Sequence, residues 1–103
     1  MVIVAGSFEV DPDQRDEYVA SRREAMKESR SDAGCLEYVL AADPVEPGRV
    51  ILFERWEDQA SLDAHLVRVR GAAASQAGAS QAGGVAPTSG GYLAYDIGEG
   101  RTL

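Results

Sequence analysis

Cysteine occurs once in this chain, at Cys35, and histidine once, at His65. One cysteine rules out an internal disulfide and a cysteine-based zinc site. One histidine has no ligand set around it, so no metal is assigned to it. Positive charge is scarce: 10 Lys and Arg stand against 17 Asp and Glu, a formal net charge of −7. No basic cluster runs against that balance, which argues against nucleic acid and anionic membrane surfaces as partners. Long apolar runs are missing too. The stretch from Met1 to Phe8 is too short for a signal segment and lacks a basic flank, and nothing later has the length to span a bilayer. The expectation is a cytoplasmic protein. There is no nucleophile elbow, no pair of histidine ligands, and no lysine at phosphate-loop spacing among the glycines.

What is present suits one small domain over residues 1–103. Val2, Val4, Gly6, Phe8 and Val10 alternate with Ile3, Ala5, Ser7 and Glu9, the period-two pattern of a strand. Asp11-Pro12-Asp13-Gln14 then reads as a helix start, with Asp11 as cap and Pro12 at the first helical position. The helix is expected to run to about Arg30, with Tyr18, Val19, Arg22, Ala25, Met26 and Ser29 along its inner stripe. That stripe is thinly apolar, and Tyr18 and Arg22 lie one turn apart on it, placed to face a pocket. Gly34 closes this unit, as glycine does just beyond many helices.

A second strand is expected from Cys35 to Ala41 and a third from Arg49 to Trp56, joined by the turn Asp43-Pro44-Val45-Glu46-Pro47-Gly48. Asp58-Gln59-Ala60-Ser61 opens a second helix carrying Leu62, His65, Leu66 and Val69. Residues 71–91 are low in complexity: Ala-Ser-Gln-Ala-Gly occurs twice in succession, at 74–78 and 79–83. So much glycine gives little to bury, so this stretch is expected to be a mobile loop after any helical start. A fourth strand from Tyr92 to Ile97 completes the order β-α-β-β-α-β. That is the split βαβ arrangement of an α+β, ferredoxin-like fold with a four-stranded antiparallel sheet. The sheet has two apolar faces but only two helices to cover them. A second copy packed face to face is the economical cover, giving a homodimer.

Three segments carry a resemblance. Asp32-Ala33-Gly34-Cys35-Leu36-Glu37-Tyr38, then Glu54-Arg55-Trp56-Glu57-Asp58, then Ser61-Leu62-Asp63-Ala64-His65 together resemble the antibiotic biosynthesis monooxygenase family. The pattern is a Gly-Cys-x-x-Tyr strand, a Glu-x-Trp strand end, and a helix bearing Ala-His nine residues after the tryptophan. The resemblance covers roughly residues 2 to 70 plus the last strand. It implies a dimeric α/β barrel with a pocket in each subunit between sheet and helices. It also implies oxygenation of quinol or polyketide substrates with dioxygen and without metal, flavin or other cofactor. Other branches of the family isomerise a phosphorylated sugar derivative, degrade heme, or have no known activity. The heme-degrading branch carries a strand-one asparagine, where this chain has Gly6 and Ser7, and needs a histidine beyond the second helix.

Each candidate site residue has a functional and a plain reading. His65 suits a general base that removes a phenolic proton, because histidine as a residue type exchanges protons near neutrality, but it can equally pin the helix to the sheet through Glu54 or a carbonyl. Trp56 can stack on a planar ring or close the end of the sheet as a core residue. Tyr38 can orient a substrate oxygen or be a half-buried strand tyrosine. Tyr18 and Arg22 can hold an oxygen-rich or anionic ligand, since guanidinium offers several fixed donors, or can belong to an ordinary amphipathic helix. Glu54 is most simply a partner for a nearby donor, and Cys35 packs as a small apolar residue. Gly6 marks a close approach by another group, or leaves space on the pocket face.

The expected function is therefore a cofactor-independent monooxygenase for a small aromatic, quinol or polyketide-type substrate. The catalytic set is His65, Trp56 and Tyr38, and Tyr18, Arg22, Glu54 and Gly6 contact substrate. The rivals are a non-catalytic small-molecule-binding or structural dimer of the same fold, and an isomerase of a phosphorylated sugar derivative. The last would need more cationic groups in the pocket than Arg22 supplies.

Overall fold

The computed structural model describes residues 1–75 and 89–103. Four strands form one antiparallel sheet: β1 (Val2–Glu9), β2 (Cys35–Ala42), β3 (Arg49–Trp56) and β4 (Ser89–Asp96), in the order β2-β3-β1-β4. This is the ferredoxin-like arrangement, in which β3 returns from its hairpin to lie between β2 and β1. The register puts Val2 opposite Trp56, Val4 opposite Glu54, and Gly6 opposite both Leu52 and Tyr92. A shift in the β2–β3 pairing between Cys35 and Glu37 realigns the start of β2, so that Tyr38 faces Glu54.

The first helical unit is not the continuous helix that its apolar spacing suggested. A 3-10 turn at Pro12–Gln14 leads into α1 (Arg15–Ser21), and α2 (Arg23–Arg30) follows after a break at Arg22. At the break the backbone has φ −88° and ψ 0°, short of the helical well. The start is as expected: Asp11 Oδ1 accepts the Asp13 N–H at 2.9 Å, and Pro12 occupies the first position. Arg15 ties α1 to the β2–β3 turn, donating to the Asp43 and Glu46 carbonyls, each at 2.8 Å. After α2 the chain reverses at Gly34, whose φ of +80° is left-handed and favours glycine. There the Gly34 carbonyl accepts the Glu57 N–H at 2.9 Å, joining the entry of β2 to the exit of β3.

The second long helix, α3 (Gln59–Ser75), begins where Asp58 Oδ1 accepts the Ser61 N–H at 2.8 Å. It extends five residues into the stretch expected to be a loop, and β4 starts at Ser89, three residues before the expected Tyr92. The expected mobile loop otherwise falls on residues 76–88, outside the described residues.

Alternation along the strands separates the two sheet faces. Val2, Val4, Phe8, Val50, Leu52 and Trp56 are buried beneath the helices, joined by Leu62 from α3 and Tyr18 from α1. The inner stripe of the helical unit follows the sequence reading: Tyr18 and Ser29 are buried, and Val19 and Met26 pack against the core. On the opposite face, Ile3, Ile51, Phe53 and Val39 form an apolar surface that no described element covers. Leu93 and Tyr95 continue it across β4, at 65% and 48% exposed.

Candidate functional site

Two residues apart on β3, Glu54 and Trp56 point to the same side of the sheet, under α3. Both are buried, and the Trp56 indole N–H donates to Glu54 Oε1 at 3.0 Å. One turn beyond the buried Leu62, α3 lays His65 over this pair. The imidazole stacks on the indole with ring centres 4.6 Å apart and planes tilted by 39°. Its Nε2 lies 3.8 Å from Glu54 Oε1, within ion-pair reach but too far for a hydrogen bond. Its Nδ1 lies 2.7 Å from Asp32 Oδ2. An ionised carboxylate can only accept, so the network assigns the proton to Nδ1 and turns the free electron pair of a neutral ring, at Nε2, towards Glu54.

Asp32 is itself held from the other side. Arg68 donates from Nε to Asp32 Oδ1 at 2.8 Å and from Nη2 to Oδ2 at 2.9 Å, a two-pronged contact that fixes the carboxylate plane. Burial works to raise the Asp32 carboxyl, but hydrogen bonds from Arg68 and His65 outweigh it and hold it below the ordinary aspartate range. Glu54 moves the other way: burial raises its carboxyl, and the Trp56 N–H and the charge of His65 only partly oppose that. Two carboxylates thus flank one imidazole, one held ionised and the other pushed towards its protonated form. The two carboxyls beside the imidazole are driven apart in acidity by their surroundings.

The imidazole opens onto a cleft between the helices and the sheet. One lobe, of ≈ 420 Å³, is lined by His65, Glu54, Arg68, Ser29, Tyr38 and Arg22 among others. A second lobe, of ≈ 240 Å³, is lined by Tyr18, Phe8, Leu40 and Leu52. Arg22, Tyr38 and Tyr92 line both lobes and so stand between them. The break between α1 and α2 falls at Arg22. Burial pushes the Tyr38 phenol up to about 12, with the Glu54 charge adding to the effect. Burial also raises Tyr18, against the opposing charge of Arg22. Both phenols are therefore neutral donors at ordinary pH. Among the described residues, no cluster of three or more His, Cys, Asp or Glu side chains could hold a metal ion.

Five of the residues singled out from sequence meet at this cleft: His65, Glu54, Tyr38, Tyr18 and Arg22. Two do not. Trp56 is fully buried and lines neither lobe, so it cannot stack on a substrate; the ring it stacks on is His65. Gly6 leaves no pocket space, because a Cβ there would meet the Gly91 carbonyl oxygen and lie 2.5 Å from Tyr92 Cα. The missing side chain admits the β4 backbone, the close approach that a mid-strand glycine often marks. Cys35 packs against the core, and burial raises its thiol above the ordinary value.

Sequence reasoning did not pick out Asp32, Arg68 or Tyr92 as site residues. Arg68 had a signal, since it follows His65 by three positions and so shares its helix face. Asp32 had none, because its role depends on how the turn before β2 folds back against α3. Tyr92 is brought to the cleft by its pairing with Gly6.

The sequence profile of the family described as Antibiotic biosynthesis monooxygenase matches residues 1–75. A Synechocystis protein, "Uncharacterized protein sll1783", is 36% identical over 65 residues, a stretch that spans 63% of this chain but only 44% of that relative. The Bacillus subtilis protein "Putative monooxygenase YcnE" is 25% identical over 65 residues, 63% of this chain and 68% of its own. Among solved structures, two described as putative antibiotic biosynthesis monooxygenases share the fold. The one from Deinococcus radiodurans superposes with a TM-score of 0.74 at 20% identity, covering 100% of this chain and 98% of its own. The one from Chloroflexus aurantiacus gives 0.60 at 28% identity, covering 96% of each.

Proposed function

The chain belongs to the antibiotic biosynthesis monooxygenase family, and on that premise we propose that it is a cofactor-independent monooxygenase for a small, electron-rich aromatic substrate of quinol or polyketide type. The observation that carries this reading is the His65 imidazole, held by Asp32 through Nδ1 and bordering the larger lobe of the cleft. A substrate hydroxyl reaching Nε2 would give up its proton there. The resulting anion surrenders electrons to dioxygen far more readily than the neutral phenol. The substrate supplies both electrons itself: one oxygen atom stays on a ring carbon, and the other leaves as water with the two hydrogens removed. Glu54, beside Nε2, is the group to which the imidazolium can hand its proton. The neutral Tyr38 phenol, its ring centre 5.6 Å from that of His65, would donate a hydrogen bond to a developing oxyanion.

The functional unit of this proposal is a homodimer acting in the cytoplasm. Support for the pairing lies in the sheet face left bare by the helices, where Ile51, Phe53, Val39 and Leu93 would meet their counterparts in a second copy. One observation favours a non-catalytic reading of the same fold: His65 is nearly fully buried and joins α3 to the turn before β2, as a purely structural pin would. Isomerisation of a phosphorylated sugar gains no support, because the second arginine of the cleft, Arg68, is already engaged by Asp32.

Oxygen uptake separates these readings. Protein treated with a chelator and given no flavin should consume dioxygen with hydroquinone-type or dihydroxyarene substrates, at a rate proportional to enzyme. An absence of uptake across a broad quinol panel would leave the binding or structural reading in its place.

A further inference from the structure

Among the described residues, one cation of the cleft has no ion-pair partner. Arg68 is occupied by Asp32, with Glu28 also within 3.4 Å, whereas Arg22 makes no side-chain hydrogen bond or ion pair among the described residues. Arg22 lines both lobes; in the smaller one the other polar side chains are the phenols Tyr18, Tyr38 and Tyr92, whereas the carboxylates of the cleft, Glu28 and Glu54, line the larger. A guanidinium surrounded by neutral hydroxyl donors is a set with donors and no strong acceptor. Such a set is complementary to an anion.

The rest of the smaller lobe narrows the class. Phe8, Leu40 and Leu52 give it an apolar wall, and its volume is ≈ 240 Å³. That suits a flat carbon skeleton carrying one acidic group. A dianionic phosphate would need a second free cation, and Arg68 is not available to serve as one. Glu54, which also lines the cleft, lies on the His65 side and would repel an anion placed at that end, giving the ligand a direction.

We propose that the smaller lobe is a carboxylate subsite: the ligand is an aromatic or enolisable carboxylic acid whose carboxylate pairs with Arg22 while its hydroxyl-bearing ring reaches towards His65. This rests on the reading of the cleft as an oxygenase site, but the anion preference can be measured without turnover. Guanidinium binds a carboxylate through two parallel hydrogen bonds, and such charge-assisted pairs are the strong ones.

The test is calorimetric binding under argon at pH 7.5, using hydroquinone and 2,5-dihydroxybenzoate as a pair that differs only in the carboxylate. The carboxylated probe should bind about tenfold or more tightly than hydroquinone. Arg22→Gln should abolish that preference by weakening the carboxylated probe about tenfold more than hydroquinone, and Arg22→Lys should restore part of it. Inorganic phosphate should compete weakly. Equal affinity for the two probes, or a preference that survives in Arg22→Gln of unaltered melting temperature, overturns the proposal; so does phosphate competing as well as the carboxylated probe. Oxygen is absent throughout, so protein that keeps the preference yet never consumes oxygen would sink the oxygenase reading and leave the subsite standing.

Discussion

The two faces of the sheet are built from the same strands, and both are rich in apolar side chains, yet only one carries ionisable groups at its centre. Under the helices, Glu54 and His65 sit among Val4, Leu52, Trp56 and Leu62 with their polar atoms facing each other or Asp32. The open face carries Ile3, Ile51, Phe53 and Val39, and its paired charges, Glu37 and Arg55, lie towards the β2 edge at 2.7 Å. Buried charge is costly unless it is paired, so its concentration under the helices supports placing the proposed chemistry on that face. Beyond that pair the middle of the open face is apolar, which suits the proposed contact with a second copy.

Charging the open face should have the largest effect. Phe53→Asp would bury an unpaired carboxylate in the proposed interface, at a cost of about 3–5 kcal/mol, and weaken association at least about 100-fold. Sedimentation should then show a monomer at micromolar concentration where the parent is a dimer. An unchanged profile would mean that this face is not the interface. The covered face should answer differently, through stability and not through assembly. Asp32→Asn removes the charged acceptor of both Arg68 and His65, and should lower stability by about 1–3 kcal/mol without changing the oligomeric state. Trp56→Phe keeps the stacked ring but deletes the one hydrogen-bond donor to Glu54 among the described residues, and should cost about 1–2 kcal/mol. Thermal melts of both variants check these values.

The smallest effect is a pH dependence with opposite signs for the two carboxyls. Glu54 is raised above its ordinary 4.5, so it binds its proton more tightly folded than unfolded. Its contribution is fully present below about 4.5 and is lost as pH rises through the folded value. Asp32 is lowered below its ordinary 3.8, so its contribution is present above that value and is lost as pH falls through the folded one. Glu54→Gln should therefore flatten the fall in melting temperature on the alkaline side of 4.5 and leave the acid limb in place. A fall of the same steepness in the variant would contradict the raised carboxyl.

The same contrast explains what the sequence made legible. Strand alternation identifies both faces, because side-chain direction depends only on position parity: Val50, Leu52, Glu54 and Trp56 share one side by their spacing alone. Helical spacing placed Tyr18, Arg22 and Ser29 on one stripe, and motif resemblance marked His65 and Glu54. Spacing could not reveal the break at Arg22, since both flanking segments are good helix formers and the departure is a matter of backbone angles at one residue. Nor could it show that Trp56 lies beneath His65 and not beside a ligand. A tryptophan at a strand end has the same sequence signature in either case, and depth is set by how α3 lies across the sheet. Asp32 owes its role to contacts with α3, a segment distant in sequence, which local pattern does not encode; Gly6 is legible as a point of close approach, but not β4 as the strand it admits.

The central claim is that the covered face holds a working base at His65. The most direct measurement is the oxygen-uptake rate of His65→Gln against the parent on the best quinol substrate, with melting curves for both. Glutamine can still donate to Asp32 and so preserve the pin, but it has no titratable nitrogen. The account predicts a folded variant slower by about 10²–10⁴-fold, the usual worth of a positioned general base. A folded His65→Gln protein that turns over at the parental rate would contradict it and reduce His65 to a structural pin.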